Sequence, residues 1–226
     1  MLVSIIIPVY KEVQTINTTI ENIYKSNKNN NFEIIVVDAE QDGRTINIIN
    51  NINVKKIISE KGRSKQMNCG SSLAKGEILL FLHADTILPD QSIDKIIRVM
   101  KNNQYIAGAF NLGINSNKFI FRIIEGLSSL RSKITRIPYG DQAIFINKDY
   151  FIKIGKFSQI PLMEEVELML KIKKNQKKIF IINEKVKTSA RRWQKEGIIY
   201  CTFRNWILIN LYFLGIKPHK LVKFYK

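Results

Sequence analysis

The chain is poor in cysteine: 226 residues hold two, Cys69 and Cys201, with no Cys-x-x-Cys spacing. That excludes a disulfide framework and a thiolate zinc site, and makes a reducing cytoplasm the simplest setting. No stretch is rich enough in Gly, Pro or Ser to act as a linker, and there is no internal repeat, so a single domain over 1–226 is expected. No GxGxxG turn follows the first apolar run, which sets aside a nicotinamide-dinucleotide fold, and no GxxxxGK(S/T) occurs, which excludes a P-loop. The run at 3–9 is too short for the apolar region of a signal peptide and lacks a small-residue cleavage site, so the N-terminus reads as mature.

Acids are scarce as well, 19 against 36 Lys and Arg, for a formal charge of +17. Such a charge draws polyanions. Lys, Asn and Ile are abundant throughout, however, as in "NKNNNFEII" and "KIKKNQKKIF", and the excess reads chiefly as a compositional bias. Nucleotide phosphates and an anionic membrane surface remain as partners, and nucleic acid is not expected. With 45% apolar and 24% charged residues the composition is globular.

What is present is alternation. Residues 3–9 ("VSIIIPV") and 33–38 ("EIIVVD") are nearly continuous apolar runs, the sign of strands covered on both faces, and 54–59 and 77–85 ("EILLFLHAD") read as two more. Between them 16–26, 45–52 and 64–74 carry helical spacing. The rhythm predicts an α/β fold, one Rossmann-like domain whose mostly parallel, mixed sheet is flanked by helices and gathers ligands outside the strands' carboxyl ends. Beyond 105 the pattern loosens: 107–112, 142–147 and 178–183 read as strands of the same sheet, 118–134 and 164–174 as helices.

The tail from 197 is apolar and aromatic, then basic. Arg204, Asn205 and Asn210 interrupt it, short of the roughly 20 clean residues of a spanning helix. It predicts an amphipathic C-terminal helix packed on the domain. Peripheral contact with the inner face of the cell membrane is the second reading, because Trp206, Tyr212, Phe213 and the trailing lysines suit an interface.

Each of the first four strands ends in polar groups, and neighbouring parallel strands set their tips side by side. Asp38 and Asp85 alone would read as turn formers or helix caps; together at one end of a sheet they suit a hard divalent cation, which leaves other positions to water or substrate phosphates. Gly62, Arg63, Lys65, Gln66 and Asn68 open the helix after strand three, where free amides and positive potential favour a phosphate or sugar. His83 stays open between metal ligand, ribose contact and satisfied strand-end histidine.

With "SIIIPVYKE", "IIVVDAEQDG", "GRSKQMNCG", "LLFLHADT", "YGDQAIF", "PLMEEVEL" and "SARRW" in this order, the chain resembles the family 2 glycosyltransferases of the GT-A fold, in particular a small bacterial branch typed by GDQ, LMED and RRW. The resemblance implies an inverting transfer from a nucleotide-diphosphate sugar to a hydroxyl acceptor, assisted by Mg2+ or Mn2+. It places Pro8, Tyr10, Glu12 and Asp38 at the nucleotide base, Arg63 and Gln66 with the nucleotide, and Arg191, Arg192 and Trp193 over the pyrophosphate. Asp85 becomes the metal ligand, with His83 standing where relatives carry another aspartate. Glu165 becomes the general base beside Glu164, with Asp141 facing the acceptor. Residues 1–104 would hold the donor, 105–197 the acceptor, and 198–226 form the helical tail. The other reading of Glu165 is a helix-start carboxylate complementing the dipole; Glu164, Glu165 and Glu167 clustering in a Lys-rich chain favours catalysis. Two alternatives remain: a non-catalytic nucleotide-sugar-binding protein, and a nucleotidyltransferase, which would carry a Gly-rich turn where this chain has "PVYKE".

Overall fold

The computed structural model describes residues 1–29 and 31–225; Lys226, last of the trailing lysines, lies outside them. Strands β1 (Val3–Val9), β2 (Phe32–Asp38), β3 (Val54–Ile58) and β4 (Ile78–Phe81) alternate with helices α1 (Ile16–Ser26), α2 (Arg44–Asn47) and α3 (Arg63–Leu73), followed by α4 (Ser92–Met100). The second half adds β5 (Tyr105–Asn115), α5 (Phe119–Thr135), β6 (Phe145–Asn147), α6 (Lys148–Lys153), α7 (Glu164–Lys174) and β7 (Lys178–Ser189). The chain then passes through α8 (Arg191–Glu196), α9 (Ile198–Phe213) and α10 (Pro218–Leu221). One seven-stranded sheet, ordered β3-β2-β1-β4-β6-β5-β7, runs through both halves. Among the pairings of these described strands, β4–β6 and β5–β6 are antiparallel and the others parallel.

Strand periodicity explains the layers. In β1 the side chains of Ile5 and Ile7 enter a core with α1 and α4 (Ile16, Ile20, Ile93, Ile96), while Ile6 enters the opposite core with α3 and α7 (Met67, Val166, Met169). Both faces are dry, hence the unbroken apolar runs.

Several boundaries differ from the expected ones. α2 stops at Asn47 instead of 52 because asparagine side chains compete for the backbone beyond it: Asn51 Oδ1 accepts the Asn53 N–H at 2.9 Å. β4 ends at Phe81 because the chain turns through 83–86, with the Thr86 N–H donating to the His83 carbonyl at 3.1 Å. β6 starts at Phe145, since Gly140–Gln142 winds into a 3-10 turn and Ala143 adopts φ 49°. β7 continues to Ser189 because it pairs with β5 along nearly its whole length. Helix α4 carries its own signal, Ile93, Ile96, Ile97 and Met100 on one buried face, which the sequence reading passed over.

Gly108 marks the tightest strand crossing. A Cβ there would overlap Phe145 Cζ and the Phe180 carbonyl oxygen. Gly108→Ala is therefore expected to destabilise the protein by about 1–3 kcal/mol, as overpacked cores do, read as a lower urea midpoint at unchanged slope.

Candidate active site

A cleft of about 550 Å3 opens outside the carboxyl ends of β1 and β4, where an open α/β sheet binds ligands. Pro8, Tyr10 and Glu12 line it from the β1 end, Gly62, Arg63 and Gln66 from the start of α3, and His83 and Asp85 from beyond β4. The 3-10 turn contributes Gly140 and Asp141, α7 contributes Glu165, and the segment after β7 contributes Arg191, Arg192 and Trp193. Of the expected residues, Asp38, Glu164, Lys65 and Asn68 are not on that wall: Lys65 pairs with Glu60, and Asn68 donates to the Phe157 carbonyl at 2.8 Å and accepts the Phe157 N–H at 3.1 Å.

Asp38 corrects one expectation. Its side chain is 0% exposed, and its oxygens accept the backbone N–H groups of Glu40 (2.9 Å), Thr45 (3.1 Å) and Ile46 (3.2 Å). It caps the turn into α2 and folds the loop behind the cleft, and its carboxylate does not line the cleft. Gln66 is also committed: its Nε2 donates to the Val9 carbonyl at 2.7 Å and the Val37 carbonyl at 2.8 Å. The first turn of α3 is thereby tied to the tips of β1 and β2. Gly62, at φ 140°, makes the bend that lets α3 start there without a side-chain cap.

On one side of the cleft an arginine stands between two acids. Arg191 donates to Glu12 at 2.8 Å and lies 3.9 Å from Asp85 Oδ2. Burial, then the neighbouring Glu12 carboxylate, push the Asp85 pKa up, opposed by Arg191. Tyr10 sits above, with Lys61 Nζ 4.2 Å from its ring centroid. The other two residues of the RRW motif also line the cleft but spend their polar groups on the protein itself. Arg192 pairs with Glu196 at 3.1 Å, donates to the Tyr225 carbonyl at 2.8 Å and stacks on the Tyr225 ring. Trp193 Nε1 donates to Thr202 Oγ1 at 3.2 Å. These two fasten the C-terminal tail, while Arg191 faces the acids.

On the other side Arg63 meets the α7 acids, 3.4 Å from Glu165 and 3.7 Å from Glu164. Burial alone would lower its pKa, but the two carboxylates prevail and hold it charged. Both acids lie in the first turn of α7, whose dipole favours negative charge. Glu164 is almost wholly buried, and burial followed by repulsion from Glu165 pushes its pKa up to about 7. Asp141 is pushed up to about 6 by burial and by Glu165, against the pull of Arg131. His83 is held neutral, its pKa lowered to about 3 by burial and the Arg63 charge. Two buried polar atoms on this wall, His83 Nε2 and Asp141 Oδ1, have no hydrogen-bond partner within the protein. Orphans of this kind mark where a ligand would bond.

The GDQ motif divides its labour. Gln142 is fully buried, donates to the Phe110 carbonyl at 2.9 Å and accepts the Tyr139 N–H at 3.1 Å, which anchors the turn. Asp141 enters the cleft. Gly140 leaves no space for a side chain between Glu165 and His83.

Among the described residues no three His, Cys, Asp or Glu side chains cluster to hold a metal ion. The single carboxylate of Asp85 fits Mg2+ or Mn2+ only as an ion completed by substrate phosphates and water. His83 Nε2 lies beside Gly140, whereas Asp85 neighbours Arg191 and Glu12.

Sequence reasoning missed Lys61, Tyr139 and the tail. Lys61 directly precedes the quoted "GRSKQMNCG", and Tyr139 directly precedes GDQ. Cys201, Asn205, Leu208 and Tyr225 also line the cleft, which no local spacing could reveal.

The Glu164 shift has a consequence for stability. A carboxyl whose folded pKa is raised contributes stability that is complete below its ordinary value of 4.5 and is lost as pH rises toward about 7. Glu164→Gln, which cannot ionise, is expected to melt about 3 °C or more above wild type near pH 8 and within about 1 °C of it near pH 4. Differential scanning calorimetry at both pH values checks this.

The glycosyl transferase family 2 model matches residues 4–160, and the chain belongs to that family. An uncharacterized glycosyltransferase of Haemophilus influenzae is 25% identical over 182 residues, 76% of this chain and 62% of the relative. A dolichol-phosphate mannosyltransferase of Pyrococcus furiosus is 33% identical over 113 residues, 47% of this chain and 32% of the relative. The chain thus spans less than two thirds of the length of either. The mannosyltransferase PcManGT of Pyrobaculum calidifontis, solved in complex with GDP-Man and Mn2+, shares the fold with a TM-score of 0.64 at 18% identity, over 83% of this chain and 56% of that one. The seven-stranded, mostly parallel sheet is thus the GT-A fold expected from the sequence.

Proposed function

We propose that this chain transfers a sugar from a nucleotide-diphosphate donor to a hydroxyl acceptor with inversion at the anomeric carbon. The observation that carries this reading is the meeting of Glu165, Arg63 and Asp141 with Asp85 and Arg191 in one cleft. Inversion needs a base on the acceptor face and positive charge on the leaving group, and no covalent nucleophile.

In this reading Pro8 and Tyr10 line the base pocket with Lys61, and Glu12 orients Arg191. Arg63 and the free amides of the α3 start face the phosphates. A divalent cation, when bound, would be held by Asp85 and would neutralise diphosphate charge. Arg191 exchanges its exposed contact with Glu12 for leaving-group oxygens, which suit its bidentate fork. Glu165 takes the proton of the acceptor hydroxyl, and Arg63 fixes its carboxylate. Asp141 and His83 use their free polar atoms on the acceptor. In this reading residues 1–104 hold the donor, 105–197 supply the acceptor side apart from Arg191, which serves the leaving group, and the tail adds Cys201, Asn205, Leu208 and Tyr225 to the cleft wall.

The test is release of nucleoside diphosphate from a panel of nucleotide-diphosphate sugars with Mg2+ or Mn2+, for wild type and Asp85→Ala. Asp85→Ala is expected to lower turnover by about 10²-fold or more, the scale of losing one preorganised electrostatic contact; unchanged turnover would remove Asp85 from the site. A second reading, a nucleotide-sugar-binding protein without turnover, is favoured by the single metal-side carboxylate. It predicts donor binding by calorimetry with no diphosphate released in any condition.

A further inference from the structure

Helix α5 is turned inside out. A surface helix ordinarily directs its apolar stripe to the core. α5 instead buries Phe121, Glu125 and Ser132 and exposes Phe119, Ile120, Ile123, Leu127, Leu130 and Ile134. At about 100° per residue these six fall within an arc of about 100°, a single stripe along the helix. The orientation is fixed from below: the fully buried Glu125 carboxylate accepts the Ile114 N–H at 2.7 Å and pairs with Arg122 at 2.7 Å and Lys185 at 2.8 Å. Rolling the stripe inward would tear the buried carboxylate from Lys185 and from the Ile114 N–H, both of which lie outside α5.

Helix α9 repeats the pattern. Its inner face, with Cys201 and Leu208, lines the cleft, while Ile199, Phe203, Trp206, Ile207 and Phe213 are exposed. The two helices adjoin, because Phe121 and Ile124 of α5 share a small core with Trp193 and Ile198. Each of these two helices, which meet at that small core, thus exposes an apolar stripe, and the pair of stripes, the α5–α9 face, is far richer than the scattered exposed side chains of an ordinary surface.

The charge around this face selects its occupant. Lys118, Arg122, Lys133 and Arg136 flank α5, and Lys217, Lys220 and Lys223 follow α9, all exposed. The one acid of α5 is the buried Glu125, and residues 197–225 contain none. A second copy of this chain would bring cationic rims together with no exposed acid in these helices to pair them. An anionic lipid surface satisfies both the apolar stripes and the rim. Among the described residues no helix is long and apolar enough to cross a membrane, so the helices would lie in the interface plane. We infer that the α5–α9 face docks the protein on an anionic lipid bilayer, with α5 as the larger contact. This is independent of the transferase reading, and its test needs no turnover.

The experiment is flotation of the full chain with phosphatidylcholine vesicles and with phosphatidylcholine–phosphatidylglycerol vesicles. Wild type is expected to float with the anionic vesicles and at least about tenfold less with the neutral ones. Leu127→Glu/Leu130→Glu is expected to weaken anionic binding at least about tenfold, since it removes two leucines that docking would bury in the lipid, with an unlowered melting temperature because both sites are exposed in the free protein. Lys133→Glu/Arg136→Glu keeps the stripe and should lose the preference for anionic lipid. The inference is overturned if wild type floats with neither vesicle or if the leucine variant floats as well as wild type. It is equally overturned if light scattering finds a wild-type dimer that the leucine variant splits, which would make the face an interface between copies.

Discussion

Glu165→Gln is expected to lower kcat for sugar transfer by about 10²–10⁴-fold, the contribution of a positioned general base. The substitution keeps the shape of the side chain and removes only the capacity to take a proton. Arg63 keeps the Glu164 carboxyl 3.7 Å away, and losing the repulsion from Glu165 favours its charged form, so the start of α7 should hold together and the melting temperature should stay close to wild type. Donor affinity, read by calorimetry with a nucleoside diphosphate, should change by less than about threefold, because Glu165 acts on the acceptor side. A loss of donor affinity with kcat intact would assign Glu165 to binding instead.

Gly140→Ala is expected to cost nearly as much activity through a single methyl group. The new Cβ would overlap Glu165 Oε1, come within 2.8 Å of Glu165 Cδ and lie 3.2 Å from His83 Nε2. Gly140 is not among the residues with positive φ, so its backbone tolerates alanine and the damage falls on the Glu165 carboxylate. Displacing a base by about 1 Å costs on the order of 10²-fold in rate. The measurement is kcat beside a thermal melt: a rate lower by about 10²-fold or more with a modest melting shift agrees with the account. Full activity in Gly140→Ala would mean that the carboxylate has freedom the packing denies it.

The residues that carry the fold were the legible ones. β1 and β2 are read from continuous β-branched runs, because a strand buried on both faces cannot disguise its composition. β7 was seen only to residue 183, since Glu184, Lys185 and Lys187 break the apolar run while backbone pairing with β5 continues regardless. Asp38 followed a buried strand just as Asp85 does, and only the three amides around its carboxylate separate a turn cap from a cleft residue. The meeting of Arg63 with Glu165 joins positions 102 apart in sequence, a distance at which spacing carries no information. The sequence reading sets Arg63 with the nucleotide and Glu165 at the acceptor, and only the geometry brings the two into contact. The tail showed its amphipathicity in sequence but not that Arg192 would clasp Tyr225, nor that α5 would turn its apolar stripe outward.

The central claim is that one cleft takes a nucleoside diphosphate through positive charge and an Asp85-held cation. The measurement that tests it most directly is the melting temperature with uridine, guanosine and thymidine diphosphates, each with and without Mn2+, for wild type and Asp85→Ala. A ligand that binds only the folded state must raise that temperature, by about 2.7 kcal/mol of stability at a hundredfold excess over Kd. The account predicts a rise with at least one diphosphate that grows with Mn2+ in wild type and no longer responds to Mn2+ in Asp85→Ala. No rise with any diphosphate, or a Mn2+ response untouched by Asp85→Ala, would contradict it.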